Sequence, residues 1–143
     1  GELGRYPHEL EAFLAEDFSV SALERTLRNP DVCWLLAYED DALVGYARVN
    51  FDSLLAATQR RGAELQKIYF LPDYAGRGFG RQFFEQVQRR AVERRQPLLW
   101  LEVLKQNADA QRFYQRQGLA VCGEAQYTSE QGAIELWTMS KAL

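Results

Sequence analysis

The sequence has 143 residues, a formal net charge of −3, 47% hydrophobic and 26% charged residues. A chain of this length makes a single domain over Gly1–Leu143 and buries roughly 68–70% of the surface it exposes when unfolded, so it needs no staples. Its 13% aromatic content argues against disorder, and its mild acidity argues against general nucleic-acid binding, which requires a basic surface.

In chain order, Leu10–Asp17 reads as the end of a helix, with Leu10, Phe13 and Leu14 on one face. Ser19–Arg28 reads as a second short helix, stopped by Asn29-Pro30. Val32–Tyr38 is apolar and rich in strand formers. Glu39-Asp40-Asp41 is a turn, and Leu43–Asn50 alternates as a strand, which predicts an antiparallel hairpin. Asp52–Gly62 has weak periodicity and reads as a loop. Glu64–Leu71 is a strand ended by Pro72-Asp73, followed by the glycine-rich stretch Tyr74–Gly80. The helix Gly80–Arg95 carries Phe83, Phe84, Val87 and Ala91 at helical spacing, with Arg94 and Arg95 in its last turn. Leu98–Val103 is a continuous apolar strand of the buried kind. A helix begins at Asn107, with Ala110, Phe113 and Tyr114 on one face and Gly118 at its C-terminus. Leu119–Tyr127 and Ile134–Ser140 are strands joined by a turn over Ser129–Gly132. The order predicts an α/β (α+β) fold with a parallel strand–helix–strand unit and a terminal antiparallel pair.

Cys33 and Cys122 stand far apart without a CxxC, and read as buried free thiols in a reducing, cytoplasmic compartment. His8 is the single histidine and lacks a ligand cluster, which argues against a zinc site, any other metal centre or a Ser-His-Asp triad. No apolar run approaches the ~18 residues of a membrane span, and no signal peptide is evident. The chain begins at Gly1 without a methionine, as a trimmed N-terminus would.

Gly76, Gly78 and Gly80 fall between a strand and a helix. Glycines let backbone N–H groups point outward together, and the helix adds about half a positive charge at its N-terminus. The sum is a site for phosphate or pyrophosphate, to which Arg77 and Arg81 add charge. The GxGxG spacing is neither a Walker loop nor a dinucleotide fingerprint. A tight strand–helix turn without a ligand is the competing reading of the loop alone.

The stretch Leu65–Leu119 resembles the GNAT family of N-acetyltransferases. Ile68-Tyr69-Phe70, Pro72, Tyr74 and Gly78-Phe79-Gly80 match its strand end and pyrophosphate loop; Ala75 stands where the family carries Gln or Arg. Asn107-Ala108-Asp109-Ala110-Gln111-Arg112-Phe113-Tyr114, closing on Gly118-Leu119, resembles its second motif, with Leu119 in place of Phe. The resemblance implies a mixed central sheet flanked by helices, with a splayed parallel strand pair. It also implies a first strand and helix start before Leu10, so that about two dozen residues are missing or shortened here. Acetyl-coenzyme A is the implied co-substrate. Its pantetheine arm would pair with the backbone at Ile68 and Phe70, its pyrophosphate would sit on Gly76–Arg81, and Asn107 would bond the arm.

Transfer to an amine needs a base for the ammonium, a polarised carbonyl and an acid for the leaving thiolate. By resemblance Tyr114 is the acid. The base is Glu64, which starts the thioester strand and by simple alternation shares a face with Gln66 and Ile68, or Glu102, a carboxylate within a buried strand. Glu64 is slightly preferred.

Val44–Asn50, Glu64–Tyr69 and the aromatic Tyr127–Trp137 hairpin look most like bacterial spermidine/spermine acetyltransferases. A polyamine-like small-molecule amine is therefore the expected acceptor. Leu98–Val103 with Asn107 and Tyr114 also resembles ribosomal-protein N-terminal acetyltransferases, which leaves a peptide α-amine open. So do a non-catalytic acetyl-coenzyme A-binding module and a purely structural domain remain. Family members are often dimers, and the Trp137 strand or a free sheet edge would serve a homodimer.

Overall fold

The computed structural model describes residues 25–74 and 78–143. The helices expected over Leu10–Asp17 and most of Ser19–Arg28, and Gly76 and Arg77 of the loop, lie outside these residues; residues 25–28 are helical. Val32–Glu39 forms β1 and Ala42–Leu55 forms β2, antiparallel to it. Their turn holds Asp40 at φ 55°, a left-handed conformation that aspartate tolerates better than most side chains.

The segment Asp52–Gly62, expected to be a loop, instead continues the sheet. β2 runs on to Leu55 and β3 covers Arg60–Phe70, so the two make one long hairpin. The alternation is hidden by a bulge: Asn50 pairs with Glu64 but Ser53 pairs with Gly62, so β2 carries one extra residue, and Asp52 sits at φ 53°. A bulge breaks the period of two on which a strand reading depends. The Trp100 indole N–H donates to the Ser53 carbonyl at 3.3 Å and ties the hairpin to the sheet.

After the short 3₁₀ turn Pro72–Tyr74, α1 spans Phe79–Glu93 and β4 spans Leu98–Leu104. The helix ends at Glu93, ahead of the expected Arg95. Arg94 is its cap, and Arg95 at φ 55° closes a Schellman motif in which Arg95 N donates to Val92 O and Gln96 N to Ala91 O. The Arg94 guanidinium turns away from the helix terminus to the Pro30 carbonyl and Asp31. Helix α2, Ala108–Arg116, then leads into β5, Ala120–Ser129, and β6, Gly132–Ala142. The strand order is β1-β2-β3-β4-β6-β5, with β3 and β4 the parallel pair. This is the mixed sheet with flanking helices that the sequence predicts.

Both helices pack on one face of the sheet. Phe83, Phe84, Val87 and Ala91 of α1 meet Ala47, Val49, Leu65, Leu99 and Leu101, with Ala110, Phe113 and Tyr114 of α2 alongside. Burying each large apolar side chain of this set contributes about 1.5–3 kcal/mol. The opposite face holds a smaller cluster of Leu55, Leu98 and Trp100 against Cys122. Cys33 and Cys122 are free thiols, as expected, but half-exposed rather than buried, because each lies on an edge strand. Partial burial still pushes the Cys33 thiol up, against the pull of Arg90 and Arg94.

A second bulge sets the site. Val49 pairs with Leu65 and Arg48 with Lys67, so Gln66 is the extra residue of β3. The strand therefore changes phase: Leu65 and Ile68 both face the helices, opposite Val49 and Ala47. Glu64, opposite Asn50, faces the other way. Simple alternation, which put Glu64 with Ile68, fails at this residue.

Candidate active site

The parallel pairing of β3 and β4 is confined to Ala63↔Leu99 and Glu64↔Trp100. Beyond the Gln66 bulge the strands diverge, and among the described residues no strand lies beside the edge of β3 that carries Ile68 and Phe70. An edge of this kind pairs with an extended ligand as it would with a further strand.

At the end of β3 the chain enters α1. Gly78, the residue before the helix, has φ 81°, and open space lies where a side chain would stand. Among the described residues no side chain caps the helix start and no acidic residue occupies its first turn, which suits this N-terminus to an anion. Gly80 lies close to the Phe113 ring, which an added Cβ would reach at 3.8 Å. Tyr74 and Phe79 bracket the loop, their rings 5.3 Å apart and edge to face. Arg81 lines the adjoining cleft but its guanidinium pairs with Glu85 at 3.3 Å, so it is already partly neutralised.

Two cavities meet here. A cleft of ≈ 790 Å³ runs from Gly78 and Gly80 past Phe113 to Ile68, Tyr69 and Tyr114. A second cavity of ≈ 320 Å³ lies in the mouth of the splayed strands, between Lys67–Tyr69 and Leu101–Leu104, and reaches Asn107. Ile68, Tyr69 and Tyr114 line both.

Tyr114 is held by its helix and by its neighbours. Phe84 and Phe113 lie against its ring at 6.0 and 5.5 Å. Its carbonyl receives the Leu119 amide in a Schellman motif with Gly118 at φ 96°, and Leu119 is buried. Burial pushes its phenol up to about 12, so the hydroxyl keeps its proton across the neutral range. Asn107 caps α2, its Oδ1 accepting from the Ala110 amide at 3.1 Å. That leaves the amide nitrogen of its side chain to a partner in the second cavity, which Asn107 lines.

The two candidate bases share the face opposite the helices. Glu102 lines the second cavity and accepts the Tyr127 hydroxyl on both oxygens, at 2.8 and 3.0 Å. Glu64 accepts from Ser53 Oγ at 2.9 Å and from Asn50 Nδ2 at 3.2 Å, both on Oε1. Neither makes an ion pair among the described residues. Tyr127 is pushed up by its bond to Glu102, then by burial, then by the charges of Glu102 and Glu64; both carboxylates thus act on one phenol. The sequence motifs do not single out Tyr127. Its only signal is membership of an aromatic hairpin. Among the described residues no group of His, Cys, Asp and Glu is arranged to hold a metal ion, and no helix is long and apolar enough to cross a membrane.

A model of the acetyltransferase (GNAT) family matches residues 4–119. An uncharacterized N-acetyltransferase of Mycobacterium tuberculosis is 31% identical over 117 residues, 82% of this chain and 71% of that protein. The streptothricin acetyltransferase of Streptomyces lavendulae is 37% identical over 84 residues, 59% of this chain and 42% of its own. Among solved structures, the ribosomal-protein-alanine N-acetyltransferase of Brucella melitensis has a TM-score of 0.73 at 23% identity, covering 97% of this chain and 98% of that one. The PaiA N-acetyltransferase of Thermoplasma acidophilum, solved in complex with coenzyme A, has a TM-score of 0.64 at 22% identity, covering 98% and 82%. The uncapped helix start beside a side-chain-free Gly78 fits a pyrophosphate, and the unpaired β3 edge fits an extended arm. The chain belongs to the acetyltransferase (GNAT) family and is an N-acetyltransferase with acetyl-coenzyme A as its co-substrate.

Proposed function

We propose that this enzyme acetylates a primary amine of a small cationic molecule, of the polyamine kind, in a ternary complex. The observation that carries the reading is the shared wall: Ile68, Tyr69 and Tyr114 separate a cleft that starts at the α1 N-terminus from a cavity that holds Glu102. A donor in the first and an acceptor in the second would meet at Tyr114. The two carboxylates Glu102 and Glu64, neither paired with a lysine or arginine among the described residues, support a cationic acceptor. The Streptomyces lavendulae relative is named for streptothricin, which supports a small molecule.

When bound, the thioester supplies the acetyl carbon and a thiolate leaving group. The protein's part is to position and to move protons. In this reading the α1 N-terminus, at Gly78, Gly80 and Arg81, holds the pyrophosphate, with Gly76 and Arg77 completing the loop. The β3 edge at Ile68 and Phe70 and the Asn107 amide align the arm. A lysine-like ammonium, of pKa about 10.4, has no lone pair until a base takes its proton. Glu102 is better placed for that than Glu64, since it lines the cavity with Tyr114. The freed amine forms the C–N bond as the C–S bond breaks, and Tyr114 gives its proton to the departing sulfur.

Initial rates of thiol release test the reading, with acetyl-coenzyme A and either spermidine or a tetrapeptide bearing a free α-amine. Turnover of spermidine with intersecting reciprocal plots is expected. Preference for the peptide would replace the acceptor, parallel plots would replace the ternary complex, and cofactor binding without thiol release would indicate a sensor. Glu102→Gln should remove the acidic limb of the kcat/KM profile and Glu64→Gln should leave it; the reverse would exchange their roles.

A further inference from the structure

Tyr127 stands on β5, an edge strand, and β6 runs between it and β4. Its side chain nevertheless crosses β6 to reach Glu102, and its hydroxyl is shared between the two carboxylate oxygens at 2.8 and 3.0 Å. The tyrosine is 53% exposed, so the bond faces water and contributes little to stability. Its effect on Glu102 is larger in kind. A glutamate side chain has three rotatable bonds and settles in one orientation only where something holds it. The phenol is the one hydrogen-bond partner that the described residues give to Glu102. A donor centred between both oxygens fixes the carboxylate plane, while a carboxylate offers about four acceptor positions. The remaining positions stay open to the cavity that Tyr114 also lines.

We infer that Tyr127 is a positioning residue: its shared hydrogen bond holds the Glu102 carboxylate in the orientation from which it takes the proton of the acceptor ammonium. The inference rests on the reading of Glu102 as the base. It also assigns the β5–β6 hairpin to the acceptor side of the enzyme, since that hairpin supplies the group that sets Glu102. Tyr127 touches neither substrate in this role. It acts through Glu102 alone.

The test is a double-mutant cycle on the full chain, with acetyl transfer to spermidine and to the tetrapeptide followed by thiol release. Tyr127→Phe keeps the ring and removes the donor. It is expected to lower kcat about tenfold, with the acetyl-coenzyme A KM within about twofold and the melting temperature unchanged. Glu102→Gln is expected to lower kcat at least about 100-fold. The double variant should be no slower than Glu102→Gln alone, because a positioning residue has nothing left to position. A further tenfold loss in the double variant would show an independent role and overturn the inference. So would wild-type turnover by Tyr127→Phe beside a crippled Glu102→Gln, which would leave Glu102 as base untouched. Wild-type turnover by Glu102→Gln would overturn both.

Discussion

In the proposed mechanism Tyr114 combines a packing role with a chemical one. Its ring lies against Phe84 and Phe113, and the residue lines both cavities. Tyr114→Phe keeps the ring and removes the proposed acid. Turnover should fall on the order of 100-fold while the acetyl-coenzyme A KM stays within about twofold. Steady-state kinetics check this, and unchanged turnover would take Tyr114 out of the acid role. Tyr114 was legible in the sequence because its motif is local: Asn107, Ala110, Phe113 and Tyr114 lie within one helix and its cap. Tyr127 was not legible in the same way. Its partner Glu102 is 25 residues away, on a strand that is not its neighbour. No spacing rule connects two such positions. Glu64 shows a third case, in which the residue is evident but its direction is not, because the Gln66 bulge reverses the face.

At the scale of elements, two glycines separate structure from ligand binding. Gly62 is pressed against β4, where an added Cβ would stand 2.5 Å from the Leu98 carbonyl oxygen and 2.7 Å from its side chain. Backbone cannot yield there without parting β3 from β4 at the base of the splay. Gly62→Ala should therefore destabilise by about 1–3 kcal/mol, as overpacking does. Urea denaturation reads this, and a loss below about 0.5 kcal/mol would mean that the strand junction is more pliable than its geometry indicates. Gly78 is the contrary case. Among the described residues nothing lies within 4 Å of its missing Cβ, so its substitution meets chiefly the cost of φ 81°, about 1 kcal/mol. Gly78→Asp adds a carboxylate at an uncapped helix start, where it competes with and repels a pyrophosphate. Calorimetry should find micromolar acetyl-coenzyme A binding by the wild type and at least a 100-fold loss in the variant, with the fold intact. Equal binding by the two would move the pyrophosphate elsewhere. Helices α1 and α2, the turns after Glu39 and Ser129, and β4 were legible from periodicity and turn residues. The joined β2–β3 hairpin was not, since a single bulge at Asp52 erases the alternation through which a strand is read.

For the whole molecule, the buried phenol links stability to pH. Tyr114 is pushed up to about 12 when folded, above the ordinary value of about 10. The folded state thus holds this proton more tightly than the unfolded chain does. The associated stabilisation is fully present below about pH 10 and is lost as pH rises towards and through about 12. Between pH 9 and 11.5 the wild type should lose more unfolding free energy than Tyr114→Phe, which has no proton to release. Equal losses, measured by urea denaturation of both at each pH, would mean that Tyr114 contributes nothing to alkaline unfolding.

The sequence by itself determined the fold class and the family resemblance, and it supplied the candidate residues of the proposed donor side. These rest on short stretches, Ile68 to Gly80 and Asn107 to Leu119, whose residues act together because they are neighbours along the chain. Only the tertiary structure brought the residues of the proposed acceptor side together. It brought Glu64, Glu102 and Tyr127 to one face from three different strands, turned Ile68 away from Glu64, and engaged Arg81 with Glu85. The physical reason is register. Which side chains of a sheet meet depends on strand order and on where single residues bulge, and neither has a local signature in sequence.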